Sequence, residues 1–152
     1  METLTRFQLI DLSVFAIANL TNLLLAAMFL FRARGRAKVG SAFGWAAVVL
    51  GIPLLAAVAL NTLATRPWWT VALPALMVAY DTAEFLLDFV LKFDFRHSRW
   101  IGPYLGLYYL ALMGMIGYAF AIGKPFGFIT LVTYFVSLAA TAYSQSRNRL
   151  HG

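Results

Sequence analysis

LIDLSVFAIANLTNLLLAAMFLF, residues 9–31, is the stretch that decides the fold. A helix rises about 1.5 Å per residue, so this run is long enough to cross the roughly 30 Å hydrocarbon layer of a bilayer. Its only ionisable side chain is Asp11. A lone strand leaves its backbone groups unsatisfied in lipid, whereas a helix bonds them internally, so the run predicts a spanning helix. It does not read as a cleaved signal peptide. Glu2 and Arg6 precede it, and Asp11, Asn19 and Asn22 interrupt its apolar pattern.

Four further runs of the same kind follow, at 39–63, 68–91, 101–122 and 125–144. The expected fold is therefore all-α: a polytopic integral membrane protein, one domain over residues 1–152, built as a bundle of five transmembrane helices. Composition agrees. The chain is 62% hydrophobic and only 12% charged, with a mean hydropathy of +0.78. Soluble domains carry about 25% charged residues. An ordinary soluble domain, a disordered tail and a fibrous repeat are excluded. Five spans of about 20 residues use about two thirds of the chain and leave no room for a soluble catalytic domain. With no cysteine there is no disulfide framework, thiolate metal site or thiol redox chemistry.

The formal charge of +6 would suggest nucleic acid in a soluble protein. Here the basic residues sit between apolar runs, so no nucleic-acid partner is expected. Alternate loops hold Arg32, Arg34, Arg36, Lys38, Lys92, Arg96, Arg99, Arg147 and Arg149, against only Arg6, Arg66 and Lys124 on the other side. Basic residues favour the cytoplasmic side. The expectation is an N-terminus outside, a C-terminus inside, and a multi-pass place in the cytoplasmic (inner) membrane. Trp68 and Trp69 then mark the outer interface and Trp100 the inner one. Pro53 and Pro74 fall inside the second and third spans, where each removes a backbone donor and predicts a kink.

Small residues mark packing faces. Gly40, Gly44, Ala47 and Gly51 recur at helical spacing on the second span, and Gly102 and Gly106 repeat the pattern on the fourth. Such stripes let backbones approach closely in lipid. They predict packing within the chain or a seam between two copies, with a homo-oligomer, a dimer first, as the expected assembly.

The third span carries the chemistry. Asp81, Glu84, Asp88 and Lys92 are spaced three, four and four among apolar residues, which on an α-helix is one stripe. From an inner boundary at Lys92, Asp88 lies about 6 Å deep, Glu84 about 12 Å and Asp81 about 16 Å. A charge near the bilayer centre costs at least about 2.5–3.5 kcal/mol, so these acids are expected to face a cavity, a partner or one another. Asp88 is also placed to pair with Lys92 one turn on. Asn19, Asn22, Tyr80, Tyr108, Tyr134 and Ser137 fall at matching depths, and Tyr104 near that of Asp88. Together they predict a polar cavity open towards the cytoplasm. The loop 93–100 would guard it, with His97 as a candidate proton donor.

Three functions fit this pattern. One is a small transporter or channel for protons or cations, inorganic or organic, binding at Asp81, Glu84 and Asp88 with the amides and tyrosines around them. Another is an intramembrane enzyme using Asp81 and Glu84 as catalytic acid and base on an apolar isoprenoid-, sterol- or lipid-like substrate. The third is an assembly subunit whose acids pair with a partner. The expected partners are accordingly the bilayer, a second copy, and a small cation or hydrophobic small molecule. No cofactor is legible, and a lipid-like occupant of the cavity is left open. The sequence holds no HExxH zinc motif, Gly-x-Ser-x-Gly, Walker loop or dinucleotide fingerprint.

Overall fold

A computed structural model describes residues 5–91 and 100–150, without the side chains of Asp88, Phe89, Ile101 and residues 148–150. Lys92, the loop 93–99 and its His97, and the Asp88 side chain therefore lie outside the described residues. The described residues are helical, with no strand. The helices are α1 (Arg6–Ala33), α2 (Ala37–Val49), α3 (Gly51–Leu63), α4 (Trp69–Glu84), α5 (Ile101–Ile122) and α6 (Lys124–Leu150). A π-helical turn, Phe85–Val90, extends α4. Among the described residues, five segments are long and apolar enough to cross a membrane: Arg6–Ala33, Ala37–Leu63, Trp69–Leu87, Gly102–Ile122 and Lys124–Arg147.

Local chemistry sets the ends. Thr5 and Gln8 form a capping box, the Thr5 N–H donating to Gln8 Oε1 at 2.8 Å and Gln8 N–H to Thr5 Oγ1 at 3.3 Å, which satisfies donors at the start of α1. Gly35, at φ +73°, turns the chain out of α1 in a conformation that side chains resist. The break between α2 and α3 falls at Leu50, three residues before Pro53. A proline at that position has no N–H for the carbonyl four residues back and crowds it. Pro74 is buried inside α4 without ending it. Thus one of the two expected kinks separates helices and the other does not.

The spans close into a ring in chain order. α1 packs on α2 and α6, α3 on α4, α4 on α5 and α5 on α6. The core between them holds Val14, Leu54, Met77, Leu112, Met115 and Tyr118. Buried polar side chains, among them Asn22, Asn61, Thr70 and Thr130, point into this interior. Large apolar side chains face out, with Leu63 82%, Ile52 69% and Val132 62% exposed. An outer surface this apolar suits apolar surroundings.

The glycine stripe of the second span is occupied within the chain. A Cβ at Gly40 would lie 2.8 Å from Arg32 Cγ and 3.0 Å from the Met28 carbonyl oxygen, and one at Gly51 3.0 Å from Asp81 Oδ2. Gly44 meets Met28, and Ala47 is buried with Leu25 and Met28. Gly102 and Gly106 instead have no described atom within 4 Å of a built Cβ.

Candidate functional site

Glu84 ends α4, and the wider π turn begins at the next residue. The Leu91 N–H donates to the Leu86 carbonyl at 2.8 Å, a five-residue step. Rare turns of this kind concentrate at functional sites. Here the turn ends the even 3.6-residue repeat just past Glu84; Lys92 and the Asp88 side chain, expected on the same stripe, lie outside the described residues.

The Glu84 carboxylate accepts a hydrogen bond from the Tyr104 hydroxyl. That hydroxyl lies 3.1 Å from the hydroxyl of Tyr80. Tyr80 in turn packs on Tyr104 and Tyr108 with ring centroids 5.7 and 5.2 Å apart. One acid and three phenols thus form a continuous cluster between α4 and α5. The cluster borders a cavity of about 260 Å³, which Met28 and Arg32 of α1, Tyr109 of α5 and Gln145 of α6 help to enclose. It lies at the end of the bundle that carries the α1–α2 turn and the C-terminus. Pockets for drug-sized ligands run about 300–1,000 Å³, so this one suits a small ion or molecule.

Asp81 is not in that cavity. It points towards the second span, against Gly51, at the floor of a separate groove of about 300 Å³. A three-residue step turns an α-helix by 300°, enough to send the two acids to different neighbours. Asn19 and Asn22 are also elsewhere. Asn19 Nδ2 donates to Thr130 Oγ1 at 3.1 Å, Asn22 Nδ2 to Thr133 Oγ1 at 3.1 Å, and Thr133 Oγ1 to Asn19 Oδ1 at 2.8 Å. These bonds tie α1 to α6, the usual work of amides between membrane helices. Tyr134 is buried in the core. Ser137 is 1% exposed, and its hydroxyl meets no hydrogen-bond partner among the described residues, though the Tyr108 phenol is its neighbour. Of the expected site residues, the structure gathers Glu84, Tyr80 and Tyr108 on one cavity. The described residues expected on a single cavity lie on a cavity, a groove, an interhelical seam and in the buried interior.

The opposite end of the bundle holds a second polar cluster. Arg66, in the turn between α3 and α4, donates to both carboxylate oxygens of Asp11 at 2.8 and 3.0 Å, and to Asn61 Oδ1 at 3.0 Å. The Tyr118 hydroxyl donates to Asp11 Oδ1 at 2.6 Å. Asn61 Nδ2 donates to the Thr70 carbonyl at 2.9 Å. These bonds join α1, α3, α4 and α5. The Asp11 hydrogen bonds hold the Arg66 guanidinium above its ordinary range, and partial burial works against them. Thr65, just before it, sits at φ +49°, an uncommon conformation for a β-branched residue. A cavity of about 440 Å³ beside Asp11 and Arg66 opens at this end.

Sequence reasoning missed this cluster and, around the Glu84 cavity, Met28, Arg32, Tyr109 and Gln145. Tyr104 was legible as a polar neighbour, not as the direct partner of Glu84. Arg32 read only as an orientation charge. The signal for the ion pair was present: Asp11 interrupts an apolar run, and Arg66 is one of few basic residues on its side. The chain matches no family model, no curated protein and no solved structure.

Proposed function

We propose that this chain is a small integral membrane transporter whose substrate, a small organic ammonium ion, binds at Glu84. The observation that carries the reading is the Glu84 carboxylate set among Tyr80, Tyr104 and Tyr108 on a cavity at one end of the bundle. A carboxylate offers charge, and phenol faces attract a cation through the ring quadrupole. That combination favours an organic cation over a bare metal ion. Arg32 borders the same cavity, so an ammonium compound that also bears a carboxylate has a partner for each group.

Two further features support transport. The bundle has a cavity at each end, and an apolar core that includes Val14, Leu54, Met77 and Leu112 lies between them. The Asp11–Arg66–Tyr118 cluster ties four helices together at the far end. In this reading the Glu84 cavity faces the cytoplasm, following the basic loops, and the ion-pair cluster closes the outer side. Substrate release outward then requires that cluster to open. A dimer would set the open face at Gly102 and Gly106 against a second copy.

The test uses the purified protein in liposomes on a solid-supported membrane. Currents are measured for an alkylamine, a quaternary ammonium ion and a zwitterionic amino acid. Glu84→Gln should abolish the response to every active compound while the protein stays monodisperse. Arg32→Gln should weaken the zwitterion alone. An unchanged flux in Glu84→Gln sinks the proposal. A lipid-like molecule seen by native mass spectrometry and lost in that variant favours the intramembrane enzyme instead.

A further inference from the structure

Asp81 stands apart from the Glu84 cavity and from every polar cluster described above. Its side chain is 7% exposed and makes no hydrogen bond or ion pair with any described residue. It lies near the middle of its span, where the second span breaks between α2 and α3, with Oδ2 against Gly51. The groove above it is lined by Trp45, Val48, Ile52, Leu55, Val78 and Phe85. Ile52 and Leu55 are 69% and 54% exposed. The groove therefore opens sideways, onto the apolar outer surface, and not towards either end. Trp45 and Phe85 meet edge to face at 6.0 Å beside it.

The chemistry of this setting is narrow. An ionised carboxylate without a partner is costly in apolar surroundings. Asp81 has one ionisable neighbour with a described side chain, Glu84 on its own helix, which carries the same charge. The residues lining the groove from the second span are Trp45, Val48, Val49, Gly51, Ile52 and Leu55, and none is ionisable. None of these side chains can neutralise the acid, and the described lining offers no oxygen cage for a metal ion. We propose that Asp81 is a proton-carrying carboxyl reached from the lipid phase, a site separate from the Glu84 cavity. Its position on α4, three residues from Glu84, would let proton occupancy on one side of the helix influence substrate occupancy on the other.

Such a carboxyl has a diagnostic reactivity that does not depend on transport. A carbodiimide takes the carboxylic proton on one nitrogen while the carboxylate oxygen adds to its central carbon. In a dry site the acyl group then migrates from oxygen to nitrogen, leaving a stable N-acylurea. The net change is addition, with nothing released.

The experiment treats the full chain in liposomes with lipid-soluble dicyclohexylcarbodiimide or with a water-soluble carbodiimide, and maps adducts by peptide mass spectrometry. The expected result is an N-acylurea on Asp81 at least tenfold more abundant with the lipid-soluble reagent. Gly51→Leu, which fills the floor of the groove, should reduce that adduct several-fold in protein that remains monodisperse. Absence of the adduct from folded wild-type protein overturns the proposal. Equal labelling by both reagents also overturns it, because the site would then open to water. Glu84→Gln should leave labelling of Asp81 in place, so failure of the substrate reading and failure of this one are told apart.

Discussion

Glu84 and Asp81 are three residues apart, yet their surroundings give them different chemistry. Glu84 has a phenol as donor and a cavity beside it; Asp81 has apolar walls. Removing the Tyr104 hydroxyl should therefore act through Glu84. Tyr104→Phe is expected to weaken ammonium binding about tenfold, the worth of one hydrogen bond to a charged group, as read by calorimetric titration. Arg66 presents the other residue-scale case. Its side chain is 14% exposed and bonds both oxygens of Asp11. Arg66→Gln should lower stability in detergent by about 2 kcal/mol, measured by denaturant unfolding. The sign of its pH dependence follows from the raised value. A cation whose value is higher when folded contributes its stability below the unfolded value and loses it only above. For an arginine that window lies beyond working pH, so this contribution is constant across the neutral range.

At the scale of elements, close approach of helices is the quantity to test. The α1–α2 seam has no room at Gly40, where the nearest atoms include the Met28 backbone. Gly40→Leu must push the helices apart, and overpacking of this kind costs about 1–3 kcal/mol. Gly102 shows the same residue and spacing with nothing within 4 Å among the described residues. Gly102→Leu should leave monomer stability within about 0.5 kcal/mol. Thermal unfolding in detergent checks both. If Gly102→Leu also converts a dimer to a monomer by native mass spectrometry, the open face is a seam between copies. The two stripes look alike in sequence because spacing reports a shared face and not what covers it. Likewise the π turn at Phe85–Val90 has no spacing signature, so the sequence reads the third span as one unbroken α-helix.

For the molecule as a whole, the absence of cysteine makes topology measurable directly. Single cysteines at Gly35 and Thr65 lie in turns at opposite ends of the bundle. In intact cells a membrane-impermeant maleimide should label Thr65→Cys and spare Gly35→Cys; the reverse pattern would invert the proposed orientation. Much of the molecule was legible before any coordinates. The expected run at 101–122 matches α5 as Ile101–Ile122, and the run at 39–63 matches a segment of Ala37–Leu63. Hydropathy and helix length are local properties, each written in about 20 consecutive residues, and so the sequence alone determined the five apolar helices. Partnership is not local. That Asp11 meets Arg66 and Tyr118, that Glu84 meets Tyr104, that Asn19 and Asn22 meet threonines of α6, and that Asp81 faces Gly51 all depend on how each helix is rotated against its neighbours. Rotation is set by the packing of the whole ring of helices, and only the tertiary structure decided it.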